Sequence, residues 1–128
     1  MKLLLDTHVF LWLNEAPEKL TPIIRQTCEN PDNSLHLSIA SVWEIQIKQQ
    51  LGKLQLDIPW QDMIDTQRRD NNLAMLPIEL AHIQALSKLP SPHRDPFDRI
   101  IIAQAITEGM TIASVDPIFS DYPAKLVR

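Results

Sequence analysis

Lys2-Leu-Leu-Leu-Asp6-Thr7-His8-Val-Phe-Leu-Trp12-Leu-Asn14 is the stretch on which the fold turns. Residues 2–5 read as a short buried strand, and residues 7–14 as a short helix directly after it. Between them stands a carboxylate, Asp6. A core element that ends on an acid carries that acid to the edge of the core, where a ligand can reach it. Three further acids stand at or near the ends of apolar segments: Glu44, Asp98 and Asp116.

Outward from that stretch the pattern alternates. A second helix is expected over 17–29, with Leu20, Ile23, Ile24 and Thr27 near one face, then a turn at Pro31-Asp-Asn33. Residues 35–38 fit a second strand and 39–51 a helix with Gly52 as its C′ residue. Next come a helix over 60–70, a strand over 73–76 and a helix over 78–88. Residues 90–96 hold three prolines and read as a loop. A strongly apolar helix over 96–108 closes on Gly109, 110–114 gives a fourth strand, and Ala124-Lys-Leu-Val127 a short fifth. Strands alternating with helices predict an α/β fold, a single domain over 1–128 with a mainly parallel sheet of four to five strands. In such sheets ligands bind beyond the carboxyl ends of the strands, where Asp6 and Asp116 would project.

Composition excludes several chemistries. With only Gly52 and Gly109, the chain has neither a phosphate-binding Walker loop nor a dinucleotide-binding turn. Cys28, the single cysteine, leaves no internal disulfide and no cysteine zinc site, which points to a reducing, cytoplasmic compartment. Asp6 interrupts the opening apolar run too early for a signal peptide, and no segment has the roughly 18 apolar residues of a membrane span, so no membrane partner is expected. The net charge of −4 is the wrong sign for a passive nucleic-acid binder. A nucleic-acid substrate would need bound metal or a local basic patch to offset the repulsion. No serine sits in a nucleophile elbow and Cys28 has no evident base, so nucleophilic catalysis by either has no support.

Each acid also has a structural explanation. Asp6 suits the N-cap of the helix behind it. Ser41-Val-Trp-Glu44 matches a capping box, and Glu44 with Lys48 matches an i,i+4 pair on a solvent face. Asp95-Pro96 and Asp116-Pro117 both match a cap followed by proline. Asp98 is the hardest to explain in this way. It shares a helix side with Ile101, Ile102 and Ala105, where a carboxylate is costly unless paired with Arg94 or Arg99 or bound to a cation. His93, Arg94 and Arg99 form a small basic group that would either contact phosphate or balance the acids. Trp12, Trp43 and Trp60 are expected in the core, and His8 as an ordinary surface or core histidine.

The ordered set says more than its members. Leu3-Leu-Leu-Asp6-Thr7-His8-Val-Phe-Leu-Trp12, Ser38-Ile-Ala-Ser-Val-Trp-Glu44-Ile45, Arg94-Asp-Pro-Phe-Asp98-Arg-Ile-Ile-Ile-Ala-Gln-Ala105 and Ile112-Ala-Ser-Val-Asp116-Pro-Ile-Phe119 together resemble the PIN-domain nucleases, in particular VapC-type toxins of toxin–antitoxin modules. The likeness covers essentially the whole chain. Ser114 departs from it mildly, standing where the family usually has Thr, and Asp95 is an extra acid beside Asp98. The resemblance implies a Mg²⁺- or Mn²⁺-dependent endoribonuclease. Asp6 and Asp98 would be the main metal ligands, with Glu44 and Asp116 completing the cluster and Thr7 and Ser114 supporting it. It also implies an RNA substrate, a homodimer and a VapB-like antitoxin. Two rival readings remain: a PIN fold that only binds a partner, against which all four acids argue, and a receiver-like Mg²⁺-binding signalling domain. The latter wants a Lys after the last strand, where this chain has Ser-Val-Asp116 after its fourth strand.

Overall fold

Three consecutive leucines set the centre of the sheet. In the computed structural model, which describes residues 1–90 and 95–128, strand β1 (Lys2–Leu5) pairs with β2 (Ser34–Ser38) on one side and β4 (Thr111–Ala113) on the other. Strand alternation sends Leu3 and Leu5 into one apolar cluster and Leu4 into another on the opposite face, so β1 is covered on both sides. Strands β3 (Ala74–Leu76) and β5 (Lys125–Val127) complete an all-parallel sheet of order β3-β2-β1-β4-β5. The expected α/β class and parallel sheet of four to five strands are thus found, with the short fifth strand present.

Helices α1 (Thr7–Glu15), α2 (Pro22–Glu29), α3 (Ile39–Gln50), α4 (Trp60–Asn71), α5 (Leu80–Leu86) and α6 (Pro96–Glu108) join the strands. The expected helix over 17–29 is broken: Pro17–Lys19 form a 3₁₀ turn and α2 starts at Pro22. A proline inside a helix removes one backbone donor and clashes with the preceding turn, whereas at N1 it costs nothing. Thr21 caps that start, accepting from Ile24 N at 3.2 Å. The buried face of this region is therefore Leu20, Ile24 and Cys28, while Ile23 is exposed. The capping box at Ser41 also fails. Ser38 is the N-cap, accepting from Ala40 N at 3.0 Å, so α3 begins three residues earlier and Ser41 lies buried inside it. Helix α5 is shorter than expected because Glu79, not Ile78, caps it, with His82 accepting from the Glu79 N–H in return at 3.0 Å. No described helix is long and apolar enough to cross a membrane.

Strand register levels the carboxyl edge. Leu5 aligns with Leu37 and with Ala113, so the next residues of the three central strands, Asp6, Ser38 and Ser114, stand side by side there. The chain leaves β1 towards β2 on one side and returns to β4 on the other. This reversal opens a crevice at the ends of β1 and β4, the usual ligand position in such sheets.

Gly109 ends α6 with φ +68°, and a Cβ built there would meet nothing within 4 Å. Gly109→Ala should therefore cost only the left-handed backbone strain, about 1–2 kcal/mol. Urea unfolding checks this; an unchanged midpoint would show that the turn relaxes to another conformation.

Candidate active site

The carboxyl edge gathers the acids. Asp6, Thr7, His8, Glu44, Lys48, Asp95, Asp98 and Asp116 line one cavity of about 220 Å³. The four acids expected from sequence thus meet, and Asp95 joins them. A cleft of about 290 Å³ at the opposite, amino edge, between residues 28–35 and 70–72, holds none of these groups.

Asp6 is fixed by backbone. Its N–H donates to Ala113 O at 3.1 Å, extending the β1–β4 ladder by one step. Its Oδ1 accepts from Val9 N at 2.9 Å, so it does cap α1, and its Oδ2 accepts from the Ser114 hydroxyl. Ser114 Oγ in turn accepts from Asp116 N at 3.0 Å. Asp6 is 5% exposed. Burial pushes its pKa up, opposed by the Ser114 and Val9 hydrogen bonds and by His8. Cap and site acid are one residue here.

Glu44 is the larger surprise. The pair with Lys48 exists, with Nζ 2.9 Å from Oε2, yet Glu44 lies 5% exposed rather than on a solvent face. The Thr7 hydroxyl donates to its Oε1 at 2.7 Å and lies 3.0 Å from the Ser41 hydroxyl. Helix α3 thus presents Ser41, Glu44 and Lys48 on the face turned to α1. Lys48 is the residue that sequence reasoning undervalues. Its signal is spacing: if Glu44 faces the site, the residue one turn on shares that face.

Asp95 caps α6, accepting from Phe97 N at 2.8 Å and Asp98 N at 3.3 Å. Asp98, in the first turn of α6, is half-buried rather than fully buried, while Ile101, Ile102 and Ala105 behind it are inside the core. Asp116 is exposed and caps a 3₁₀ turn over Pro117–Asp121, accepting from Ile118 N at 3.0 Å. Arg99 does not reach the cavity. Its guanidinium donates to Pro90 O at 2.8 Å, Leu86 O at 3.3 Å and the Tyr122 hydroxyl at 3.4 Å, bracing the segment before α6. Neither a phosphate contact nor an Asp98 salt bridge fits that use. His93 and Arg94, and the loop expected around them, lie outside the described residues apart from its ends. Trp43 is 59% exposed, against expectation, its ring edge-on to Phe97; Trp12 and Trp60 are partly buried against the core, and His8 is exposed at the cavity wall beside Trp12. Burial raises the Cys28 thiol to about 11, which leaves it inert.

The donor set suits a hard divalent cation. Five carboxylates among the described residues line the cavity against one lysine, and two of them, Asp6 and Glu44, are shielded from water. Such clustering is unfavourable unless a cation offsets it. Among the described residues, no three or more His, Cys, Asp or Glu side chains stand close enough together to hold a metal ion as they are. Asp6, Glu44 and Asp116 accept hydrogen bonds from Val9 N, Ser114, Thr7, Lys48 and Ile118 N, and each carboxylate oxygen that accepts one such bond keeps a further lone pair. An ion held by one or two direct carboxylates and several waters, as Mg²⁺ prefers, needs no closer grouping.

The desolvation of Asp6 has a measurable consequence. Its folded pKa is raised from 3.8, so the folded state holds the proton more tightly and metal-free stability should fall as pH rises through that window. Asp6→Asn should therefore unfold at higher urea than the wild type at neutral pH in chelator, the gap closing below pH 3.8, where both forms are neutral. A less stable Asp6→Asn at neutral pH would mean that its hydrogen bonds outweigh burial.

A family model described as PIN domain matches residues 3–125. Among curated proteins, the chain is similar to Ribonuclease VapC22 of Mycobacterium tuberculosis, 31% identical over 117 residues, which are 88% of this chain and 85% of that one. Among solved structures it is similar to VapBC2 of Rickettsia felis bound to a DNA fragment from its promoter, with TM-score 0.73, 18% identity and coverage of 99% and 98% of the two chains. It is similar also to VapBC-1 of nontypeable Haemophilus influenzae, with TM-score 0.68, 16% identity and coverage of 99% and 97%. At these identities the structural likeness speaks for the fold.

Proposed function

The chain belongs to the PIN domain family, and from that premise we propose that it is a VapC-type endoribonuclease, the toxin of a toxin–antitoxin pair acting in the cytoplasm as one domain over residues 1–128. The observation that carries this reading is the convergence of Asp6, Glu44, Asp98 and Asp116, from four separate chain segments, on one cavity at the reversal point of the sheet. Fold alone would not suffice, since one fold hosts many functions.

Asp6 and Asp98 would hold Mg²⁺ or Mn²⁺, with Glu44 and Asp116 engaged through water or directly. Bound there, the ion would lower the pKa of a water and offset charge on the scissile phosphate. The residues of this chain supply the frame. Ser114 and the α1 N-terminus orient Asp6, Thr7 orients Glu44, and the Asp95 cap fixes the first turn of α6 from which Asp98 projects. The partner-only reading leaves unexplained why Asp6 is kept buried at a cost in stability.

An apolar groove of about 250 Å³ adjoins this edge, lined by Ala40, Trp43, Ile78, Ile83, Leu86, Pro96, Phe97 and Ile100. We assign the homodimer contact to this face, and the antitoxin, VapB-like, as the partner that restrains the enzyme in the cell. Contiguous apolar surface of this kind usually marks a protein contact. Trp43→Ser should shift the protein from dimer to monomer by light scattering; a Trp43→Ser protein that stays dimeric places the contact elsewhere.

Purified protein should cleave mixed RNA with Mn²⁺ or Mg²⁺ and stop in EDTA. Asp98→Asn should lower the rate by more than roughly a hundredfold, the upper end for groups that only support metal ligands. Undiminished cleavage by Asp98→Asn would remove Asp98 from the site. Expression without a partner should arrest growth, and unimpaired growth with abundant protein would count against the toxin role.

A further inference from the structure

Lys48 stands in an unusual position for a surface-helix lysine. It is the only lysine or arginine among the described residues that line the acidic cavity. Its ammonium lies 2.9 Å from Glu44 Oε2, and its side chain is 40% exposed where that of Glu44 is 6%. The charge therefore sits between a buried acid and the open mouth. Glu44, Asp95 and Asp98 all face it, and hydrogen bonding to Glu44 holds its proton more firmly.

An RNA phosphate that enters this cavity meets the carboxylates of Asp6, Glu44, Asp95, Asp98 and Asp116. A cation fixed in the cavity wall can receive it beside any bound ion, and among the described residues Arg99 is committed to backbone carbonyls of the segment before α6. An ammonium carries three donors in no fixed plane, and the Lys48 hydrogen bond seen among the described residues uses one, to Glu44. Placed beside the acids, the others can meet a non-bridging phosphate oxygen, the atom on which charge must be stabilised during displacement. Glu44 then acts as the anchor that keeps the ammonium in place, with Thr7 holding its other oxygen.

We propose that Lys48 is a catalytic residue of this site, its ammonium contacting a non-bridging oxygen of the scissile phosphate from the α3 wall of the cavity. This rests on the ribonuclease reading and adds the residue that receives the substrate. The contact makes and breaks no covalent bond, so no further reactant is required.

The test compares wild type, Lys48→Arg and Lys48→Met on a short, labelled, mixed-sequence RNA. Binding is measured with Ca²⁺ in place of Mg²⁺ to hold off turnover, over a series of KCl concentrations, and Mn²⁺ affinity is measured without RNA. Loss of one phosphate contact should make the salt slope of the binding constant shallower by about 0.7 in Lys48→Met. Lys48→Arg should keep the wild-type slope, and the single-turnover cleavage rate should fall at least roughly tenfold in Lys48→Met and recover in Lys48→Arg. Wild-type slope in Lys48→Met overturns the proposal, including the case where only its Mn²⁺ affinity moves, because Lys48 then merely positions Glu44. Should Lys48→Met fail to fold, Lys48→Gln carries the same comparison. A wild type that neither binds nor cleaves RNA brings down the ribonuclease reading itself, whereas an active wild type with an unaltered variant slope brings down the Lys48 contact alone.

Discussion

Everything at this site depends on a carboxylate buried at the end of the central strand. Asp6 is unfavourable where it stands, because burial penalises its charge. It is kept there by groups that also build the fold: its N–H extends the ladder to Ala113, one oxygen caps α1, and the other receives the hydroxyl of Ser114 beyond β4. Hydrogen bonds to a charged group contribute roughly 1.5–3 kcal/mol each, enough to offset a partial desolvation but not to make the charge comfortable. The position of the acid is thereby set by strand register rather than by a flexible side chain, so that a bound cation would gain a pre-organised ligand.

The other acids are held in the same way. Asp95 and Asp116 cap the turns that carry them, and Glu44 is held by Thr7 and Lys48. Each serves the fold and the cavity together, which explains why structural and functional readings of single residues could not be separated. The acids differ in exposure, from Asp6 and Glu44 inside to Asp116 in solvent, so the cavity grades from a shielded floor to an open rim. A polymer substrate would approach from the rim, while Asp6 and Glu44 stay away from bulk water.

The sequence shows the strands and the fold class because each strand is short, apolar and closed by a distinct signal. Three leucines ending on Asp6, and Gly109 ahead of Thr111–Ala113, need no tertiary information. Helix starts are less legible. Ser38 and Ser41 are chemically equal cap candidates, and only the register of β2 decides for Ser38. The break at Pro22 is readable from proline chemistry alone but is hidden by a continuous apolar spacing. For the site, the acids stand out through their order along the chain. The burial of Glu44, the inward turn of Lys48 and the exposure of Trp43 are not legible, because each depends on which helix packs beside α3. Arg99 shows the reverse error: proximity to Asp98 in sequence suggests a charge partner, whereas the guanidinium turns to the carbonyls of Leu86 and Pro90.

On the reading proposed above, the cavity would be a divalent-cation site built on Asp6 and Asp98. Direct titration of the RNA-free protein with Mn²⁺, following the free ion by its electron paramagnetic resonance signal, tests it without recourse to activity. Wild-type protein should sequester Mn²⁺, and Asp6→Asn and Asp98→Asn should each weaken binding by at least roughly tenfold. A wild type that leaves the Mn²⁺ signal untouched, or variants that bind as tightly as it does, would contradict that reading.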